Sequence, residues 1–405
     1  MIGLKPQNFY GVEEKRMLNK VFNRKIFSDF LGNYHPKFYG GKYVREFEMK
    51  LAKYYKMKYA ITFNSWTSGL IAAVGALDIN PGDEIIVPTW TMTACPTAIL
   101  FWGAKPIFAD INENDFNIDP LSIEKKITSK TKAIMIVDIH GTPANYKELI
   151  KIKKKYNLKI IIDAAQAPGS KYKNKYTVNY GDIGGYSFNR HKHIQTGEGG
   201  VCLTNDKKIA MKAMLIRNHG EGVLNTTRRF KKMPMVGFNF RMTELEAAMG
   251  IAQLPKLKKI VNEKYKIANQ LTRGLSKFKY IKTLQEKKDY DYSYYMYPMI
   301  FDCNKIGKKR DQIVKDLKKL KIECRGGFYN LHKLPLYKYT SLFLSRKYPT
   351  SFKKKTIQQK CLVAEKLHKE NFISFQLCSF SYTKKDVQKI LSGFEKLWKN
   401  YGITN

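Results

Sequence analysis

The chain has 405 residues, 43% of them apolar and 13% aromatic, enough to bury a large core divided into two or three structural units. No run approaches the roughly 20 apolar residues of a membrane span, and the start MIGLKPQNFYG lacks the apolar segment of a secretory leader, so a cytoplasmic protein with no membrane span is expected. The formal charge of +39 would suit nucleic acid, but arginine supplies only about a dozen of the 73 basic residues and the lysines spread along the whole chain. That distribution reads as a general lysine bias, with no nucleic-acid partner and a positive surface able to steer a nucleotide-diphosphate substrate inward.

In chain order, short β-rich runs alternate with helical patterns. Strands are predicted at Tyr59 to Thr62, Glu84 to Val87, Pro106 to Ala109, Ala133 to Val137, Lys159 to Ile162, Gly185 to Phe188 and Val201 to Thr204. Helices are predicted at Ser68 to Leu77, Thr93 to Trp102, Tyr146 to Tyr156 and Lys207 to Arg217. Most strands are apolar on both faces, which predicts a buried α/β sheet wrapped by helices. After Leu254 the pattern turns to lysine-rich amphipathic helices (Glu263 to Phe278, Lys309 to Lys319, Lys384 to Lys399) around shorter strands such as Tyr294 to Ile300. The division expected is a large α/β domain over 1–255 and a smaller α+β domain over 256–405. With no long Gly/Ser linker, the two should pack tightly. Cys95, Cys202, Cys303, Cys324, Cys361 and Cys378 form no CxxC pair and no metal-ligand spacing, so reduced thiols and no metal are expected.

Four stretches carry chemistry. NSWTSGLIAAVGAL places Thr67 and Ser68 at the start of an apolar helix, where free N–H groups and hydroxyls cradle a phosphate, although an ordinary helix cap uses the same residues. IIVPTWTMTA ends a strand and presents Trp90, which could stack on a flat ring or fill the core. IIIDAAQAPGSKY delivers Asp163 to a strand end, the ligand-binding edge of open α/β sheets, with Gln166 beyond it; a lone carboxylate there would more ordinarily cap a helix. GDIGGYSFNRHKHIQTGEGG ends a strand near Ser187 and sets Lys192 among turn residues, flanked by His191 and His193, which could help depress its pKa. An arbitrary lysine is a solvated charge. A lysine for an imine, a carboxylate for a pyridine nitrogen, a phosphate cradle and a stacking aromatic are together what pyridoxal phosphate requires.

These stretches, with GGKYVREFE, PGDEIIVPTWT, GAKPIFADI, DIHGTPAN, IRNHGEG and VGFNFRMTELEAAMGIAQL, resemble the DegT/DnrJ/EryC1/StrS sugar aminotransferases over almost the whole chain. The resemblance implies the fold of type I pyridoxal-phosphate enzymes, with a mostly parallel seven-stranded sheet. It also implies that Lys192 bonds the cofactor aldehyde, Asp163 pairs with the pyridine nitrogen, Gln166 contacts the phenolic oxygen and Trp90 stacks on the ring. Thr67, Ser68 and Ser187 would hold the phosphate, and Asn239 would reach it from the neighbouring subunit of a homodimer. Two departures stand out: Trp66, where the family often has glycine or alanine, and the residues Arg190, His191 and His193 around the lysine. A dehydratase branch has histidine in place of the lysine; retention of Lys192 favours transamination.

The expected reaction moves the amino group of L-glutamate onto a nucleotide-linked keto-sugar, a 4-keto-6-deoxy hexose, with Arg241 and His332 as substrate contacts. The same chemistry on a small phosphorylated ketone or keto-cyclitol is the first alternative, and a basic nucleic-acid-binding protein on a retained fold is the second.

Overall fold

The structure, a computed structural model, describes residues 5–7, 9–33, 35–221, 235–338 and 359–404. All seven predicted strands of the first part form, as β1 (Tyr59–Phe63), β2 (Glu84–Pro88), β3 (Lys105–Ala109), β4 (Thr131–Val137), β5 (Lys159–Asp163), β6 (Ile183–Ser187) and β7 (Gly200–Thr204). They make one sheet in the order β1-β7-β6-β5-β4-β2-β3. Strands β2 to β6 are parallel, while β7 runs antiparallel to both β6 and β1. Side chains alternate between two cores: Ile161 belongs to one apolar cluster and its neighbours Ile160 and Ile162 to the other. Burial on both faces is why these strands read as continuous apolar runs.

Helices cover the two faces: α1 (Val12–Arg24), α2 (Lys42–Tyr55), α3 (Trp66–Ala76), α4 (Ala94–Phe101), α5 (Tyr146–Lys155), α6 (Lys207–Arg217) and α7 (Glu244–Gln253). Helices α3 to α6 follow the predicted positions; α1, α2 and α7 are additional and pack together. The start of α2 is fixed by the buried Glu244, which accepts from Tyr43 N–H at 2.9 Å and Val44 N–H at 3.2 Å. An anion there also complements the helix dipole.

The second part holds α8 (Leu257–Leu275), β8 (Ile281–Thr283), β9 (Met296–Phe301), α9 (Arg310–Lys319), β10 (Arg325–Gly326), β11 (Phe372–Gln376) and α10 (Lys384–Asn400). Its antiparallel sheet runs β8-β9-β11-β10. Helix α8 begins at Leu257 rather than Glu263, and its buried face includes Lys264, whose amine donates to Leu377 O at 2.9 Å and Phe380 O at 2.6 Å. A lysine on the inner face conceals the apolar period from a reader of the sequence. Phe63 and Val87 of the large sheet share one core cluster with Phe301, Phe375 and Trp398, so the two parts are packed together without a gap. Lys5–Pro6 pairs with Phe380–Ser381, and Gln7 Nε2 donates to His193 O at 3.3 Å, so the N-terminal segment bridges the two parts. Among the described residues no helix is long and apolar enough to cross a membrane.

The register fixes the location of the site. Phe63 lies opposite Gly200, Gly200 opposite Ser187, Gly185 opposite Asp163, and Asp163 opposite Val137. One edge of the sheet therefore gathers the loops that begin after Phe63, Pro88, Val137, Asp163 and Ser187.

Candidate active site

Lys192 follows β6 in a tight loop pinned by the backbone bonds Lys192 N–H to Asn189 O at 2.9 Å and Thr196 N–H to Phe188 O at 2.9 Å. As a residue it is half-buried. Desolvation nevertheless dominates its amine and holds the pKa below the ordinary lysine value, while Asp163, Cys378 and Cys95 pull it upward. The ammonium lies 4.6 Å from the centroid of the Tyr295 ring. Asp163, 5% exposed at the end of β5, receives hydrogen bonds from Trp66 Nε1 at 2.7 Å, Ala165 N–H at 3.0 Å and Cys95 Sγ at 3.0 Å. Both Lys192 and Asp163 act electrostatically on the buried Cys95 thiol, so the two ionisable groups converge on one space.

The flanking histidines do not supply the expected effect on Lys192. His193 is buried with Nε2 against Ser293 O at 2.8 Å, and burial pushes its pKa to about 3, so it carries no charge near neutrality. His191 is exposed and is itself held low by partial desolvation and by Arg190, Lys192 and Arg325. A cavity of about 340 Å³ reaches Lys192 past Arg190, His191, Gln195 and Cys378.

The start of α3 is a compact polar cluster. Ser65 caps the helix by accepting from Ser68 N–H at 3.1 Å, and Ser68 Oγ donates to Asn64 Oδ1 at 2.7 Å. A cap of this kind contributes about 1 kcal/mol to helix stability. Thr67 is exposed beside it, and the first-turn N–H groups of Trp66 and Thr67 have no intrahelical carbonyl to bind. Ser187, 9% exposed, closes the same edge and accepts from Asn189 N–H at 3.2 Å. Gln166 is buried; its carbonyl oxygen accepts from His140 N–H at 2.8 Å, which leaves its NH2 to donate.

Other expected contacts lie differently. Trp90 is 0% exposed, donates from Nε1 to Asn330 Oδ1 at 2.8 Å, and is surrounded by Phe116, Phe328 and Phe372 in the seam between the two units. A ring that stacks on a ligand must offer an open face, so the assignment of Trp90 to that role is corrected; the apolar side chain exposed past β2 is Met92, at 61%. His332 is corrected as well. It is buried, with Nδ1 2.6 Å from Thr89 Oγ1 and Nε2 2.9 Å from Glu365 Oε1, so neither nitrogen is available to substrate. Desolvation lowers its pKa, and the pairing that satisfies every group is a neutral ring with Nε2–H donating to the carboxylate. Arg241 is half-buried and donates from Nη1 to Asn218 Oδ1 at 3.2 Å. Asn239 is exposed in the same segment, whose Phe240 O accepts from Asn64 N–H at 2.9 Å. Trp66, Cys95, Tyr295 and Arg325 are neighbours of the site that the sequence reading did not assign to it. Only Trp66 gave a signal, as a departure from the family pattern.

The donor set fits pyridoxal phosphate: a depressed-pKa amine, a fixed carboxylate, a free amide NH2 and a hydroxyl-rich helix start converge on one sheet edge. The sequence profile of the DegT/DnrJ/EryC1/StrS aminotransferase family matches residues 33–364. A GDP-perosamine synthase of Escherichia coli O157:H7 is 36% identical over 297 residues, covering 73% of this chain and 79% of that protein. Among solved structures, an aminotransferase from Psychrobacter cryohalolentis superposes with a TM-score of 0.84 at 25% identity, covering 98% of this chain and 100% of the other. An aminotransferase of Helicobacter pylori involved in the biosynthesis of pseudoaminic acid superposes at 0.79 with 26% identity, covering 98% of each chain. This chain therefore belongs to the DegT/DnrJ/EryC1/StrS aminotransferase family and is a pyridoxal-phosphate-dependent enzyme.

Proposed function

We propose that the enzyme transfers the amino group of L-glutamate to the ketone of a nucleotide-linked 4-keto-6-deoxy hexose, as a cytoplasmic homodimer with shared active sites. The observation that carries this reading is the convergence of the desolvated Lys192 amine and the hydrogen-bonded Asp163 carboxylate at the ends of neighbouring sheet elements. The names of the relatives, GDP-perosamine synthase and a dTDP-linked amino-sugar transaminase, support the substrate class. Six free cysteines among the described residues suit a reducing compartment.

Bound at this edge, pyridoxal phosphate supplies an electron sink for the carbon–hydrogen bond that breaks. Asp163 would face the ring nitrogen, and Gln166 would donate to the phenolic oxygen. Thr67, Ser68 and Ser187 would hold the phosphate, with Asn239 of a second subunit. Lys192 Nζ, whose pKa burial holds below the ordinary lysine value, would take the α-proton of the amino donor and hand it on within the site. Arg241 is retained as a substrate contact. In the second half-reaction the same groups work in the opposite direction on the keto-sugar.

Lys192→Ala tests the assignment. The wild type should yield a borohydride-reducible bond to the cofactor and the variant none, with turnover reduced on the order of 10⁴-fold; a reducible bond in the variant would refute it. Glutamate-dependent amination of nucleotide-linked keto-sugars, set against small keto-phosphates, tests the substrate. Conversion of the small ketones alone would overturn that part.

A further inference from the structure

Asp163 is held from two directions by side chains outside its own loop. One is Cys95, whose thiol reaches one carboxylate oxygen at 3.0 Å. A thiol is a weak donor. The other is Trp66, whose indole N–H reaches the opposite oxygen at 2.7 Å, where Ala165 N–H also binds at 3.0 Å. Trp66 is 5% exposed, and its ring occupies a slot that two glycines leave open. A Cβ on Gly185 would fall 2.3 Å from the ring's Cζ3 and 2.5 Å from Cη2; one on Gly69 would fall 2.7 Å from Cε3. Gly185 is the residue opposite Asp163 in the sheet. The slot therefore accepts an indole, and the indole's single polar atom ends on the carboxylate.

We propose that Trp66 is a positioning residue for Asp163, fixing the plane of the carboxylate so that it faces the cofactor's pyridine nitrogen. The carboxylate torsion of aspartate is intrinsically broad, so without a rigid partner the group samples orientations that miss a ring nitrogen. A fused aromatic ring clamped between glycines is a stiffer donor than a serine or asparagine in the same place. This rests on the reading of Asp163 as the partner of the pyridine nitrogen.

Trp66→Phe keeps a ring in the slot and removes the donor. Cofactor-free enzyme is titrated with pyridoxal phosphate by absorbance, and steady-state kinetics and melting are measured on wild type, Trp66→Phe, Asp163→Ala and the double variant. Trp66→Phe should raise the cofactor Kd about tenfold and lower kcat about tenfold, the factor that a hydrogen bond to a charged group is worth. The KM for glutamate should stay within about twofold, and the cofactor-free melting temperature should fall by no more than a few degrees, the cost of one unmade bond to a buried carboxylate. In the Asp163→Ala background the same substitution should change Kd less than about twofold, because the group it positions is gone. Wild-type Kd and kcat in Trp66→Phe, or an undiminished effect in the Asp163→Ala background, would overturn the proposal. Wild-type behaviour of Asp163→Ala alone would instead sink the underlying reading of Asp163, and the positioning role with it. Should the phenylalanine variant fail to fold, site-specific replacement of the Trp66 indole by its sulfur isostere benzothiophene keeps the shape and removes the N–H; the same two outcomes then decide.

Discussion

The two sides of Lys192 are built differently. On the side of Asp163 the polar groups are buried and partnered: Asp163 takes bonds from Trp66, Ala165 and Cys95, Ser68 bonds Asn64 and Ser65, and Gln166 bonds the His140 backbone. On the other side Arg190, His191 and Arg325 are exposed, as are Thr67 and Asn239 around the phosphate cradle. The inner side is organised before any ligand arrives, which is where electrostatic preorganisation is most effective. The outer side consists of exposed groups with sparse partners of their own, such as Arg190 Nε donating to His191 Nε2 at 3.3 Å, and so has capacity left for a ligand or a second subunit. A shared cofactor and a variable substrate would leave this contrast.

The comparison breaks most decisively at Asp163. If the inner side is a fixed electron-sink apparatus, Asp163→Ala retains some cofactor yet loses kcat on the order of 10³-fold; wild-type turnover would remove the argument. A pH measurement sharpens it. Burial lowers the Lys192 pKa and the Asp163 charge raises it, so losing the charge leaves burial less opposed. The pH midpoint for labelling Lys192 in cofactor-free enzyme with an amine-selective reagent should therefore move lower in Asp163→Ala than in wild type. A midpoint that moves upward would show that the two groups do not share a space.

A smaller effect is expected on the outer side. Arg325 lies close enough to lower the pKa of His191 and to oppose the burial-driven rise at Tyr295, whose ring stacks on the Lys192 ammonium. If this basic rim meets a nucleotide diphosphate, Arg325→Ala raises the KM for the nucleotide-sugar about tenfold, leaves kcat within about twofold, and reduces the dependence of KM on salt. A fall in kcat with unchanged KM would place Arg325 with the inner groups instead.

What the sequence revealed follows the same division. Strands buried on both faces announce themselves by composition, and the register of parallel strands then brings Asp163 and the loop bearing Lys192 to one edge almost automatically. Contacts between residues distant in the chain leave no such trace. The bond from Trp66 to Asp163 spans 97 positions, so Trp66 looked only like an intruder in a phosphate loop. Trp90 was misread for a related reason: an aromatic just past a strand end has the same local sequence whether it faces the cleft or, as here, the seam against Phe328 and Phe372. Lys264 shows the limit from the other direction, since nothing in a lysine-rich chain marks the one whose amine is buried against carbonyls and held down at about 8.

The last test concerns His332, which sequence position suggested as a substrate contact and the structure places in the seam. Its two nitrogens join Thr89 of the large sheet's edge to Glu365 of the smaller unit. Although burial works against it, Glu365 is held down at about 2 by hydrogen bonds from His332, Lys333 and the Cys361 backbone. His332→Ala would leave a buried hydroxyl and one carboxylate oxygen short of partners, at a cost of about 2 kcal/mol in stability. Glu365 keeps Lys333, so the loss stays below that of a carboxylate stripped of all its donors. KM for the sugar substrate should be unchanged, because no ring nitrogen faces the cleft. A raised KM at wild-type stability would return His332 to the substrate and shift the boundary between the two sides of the site.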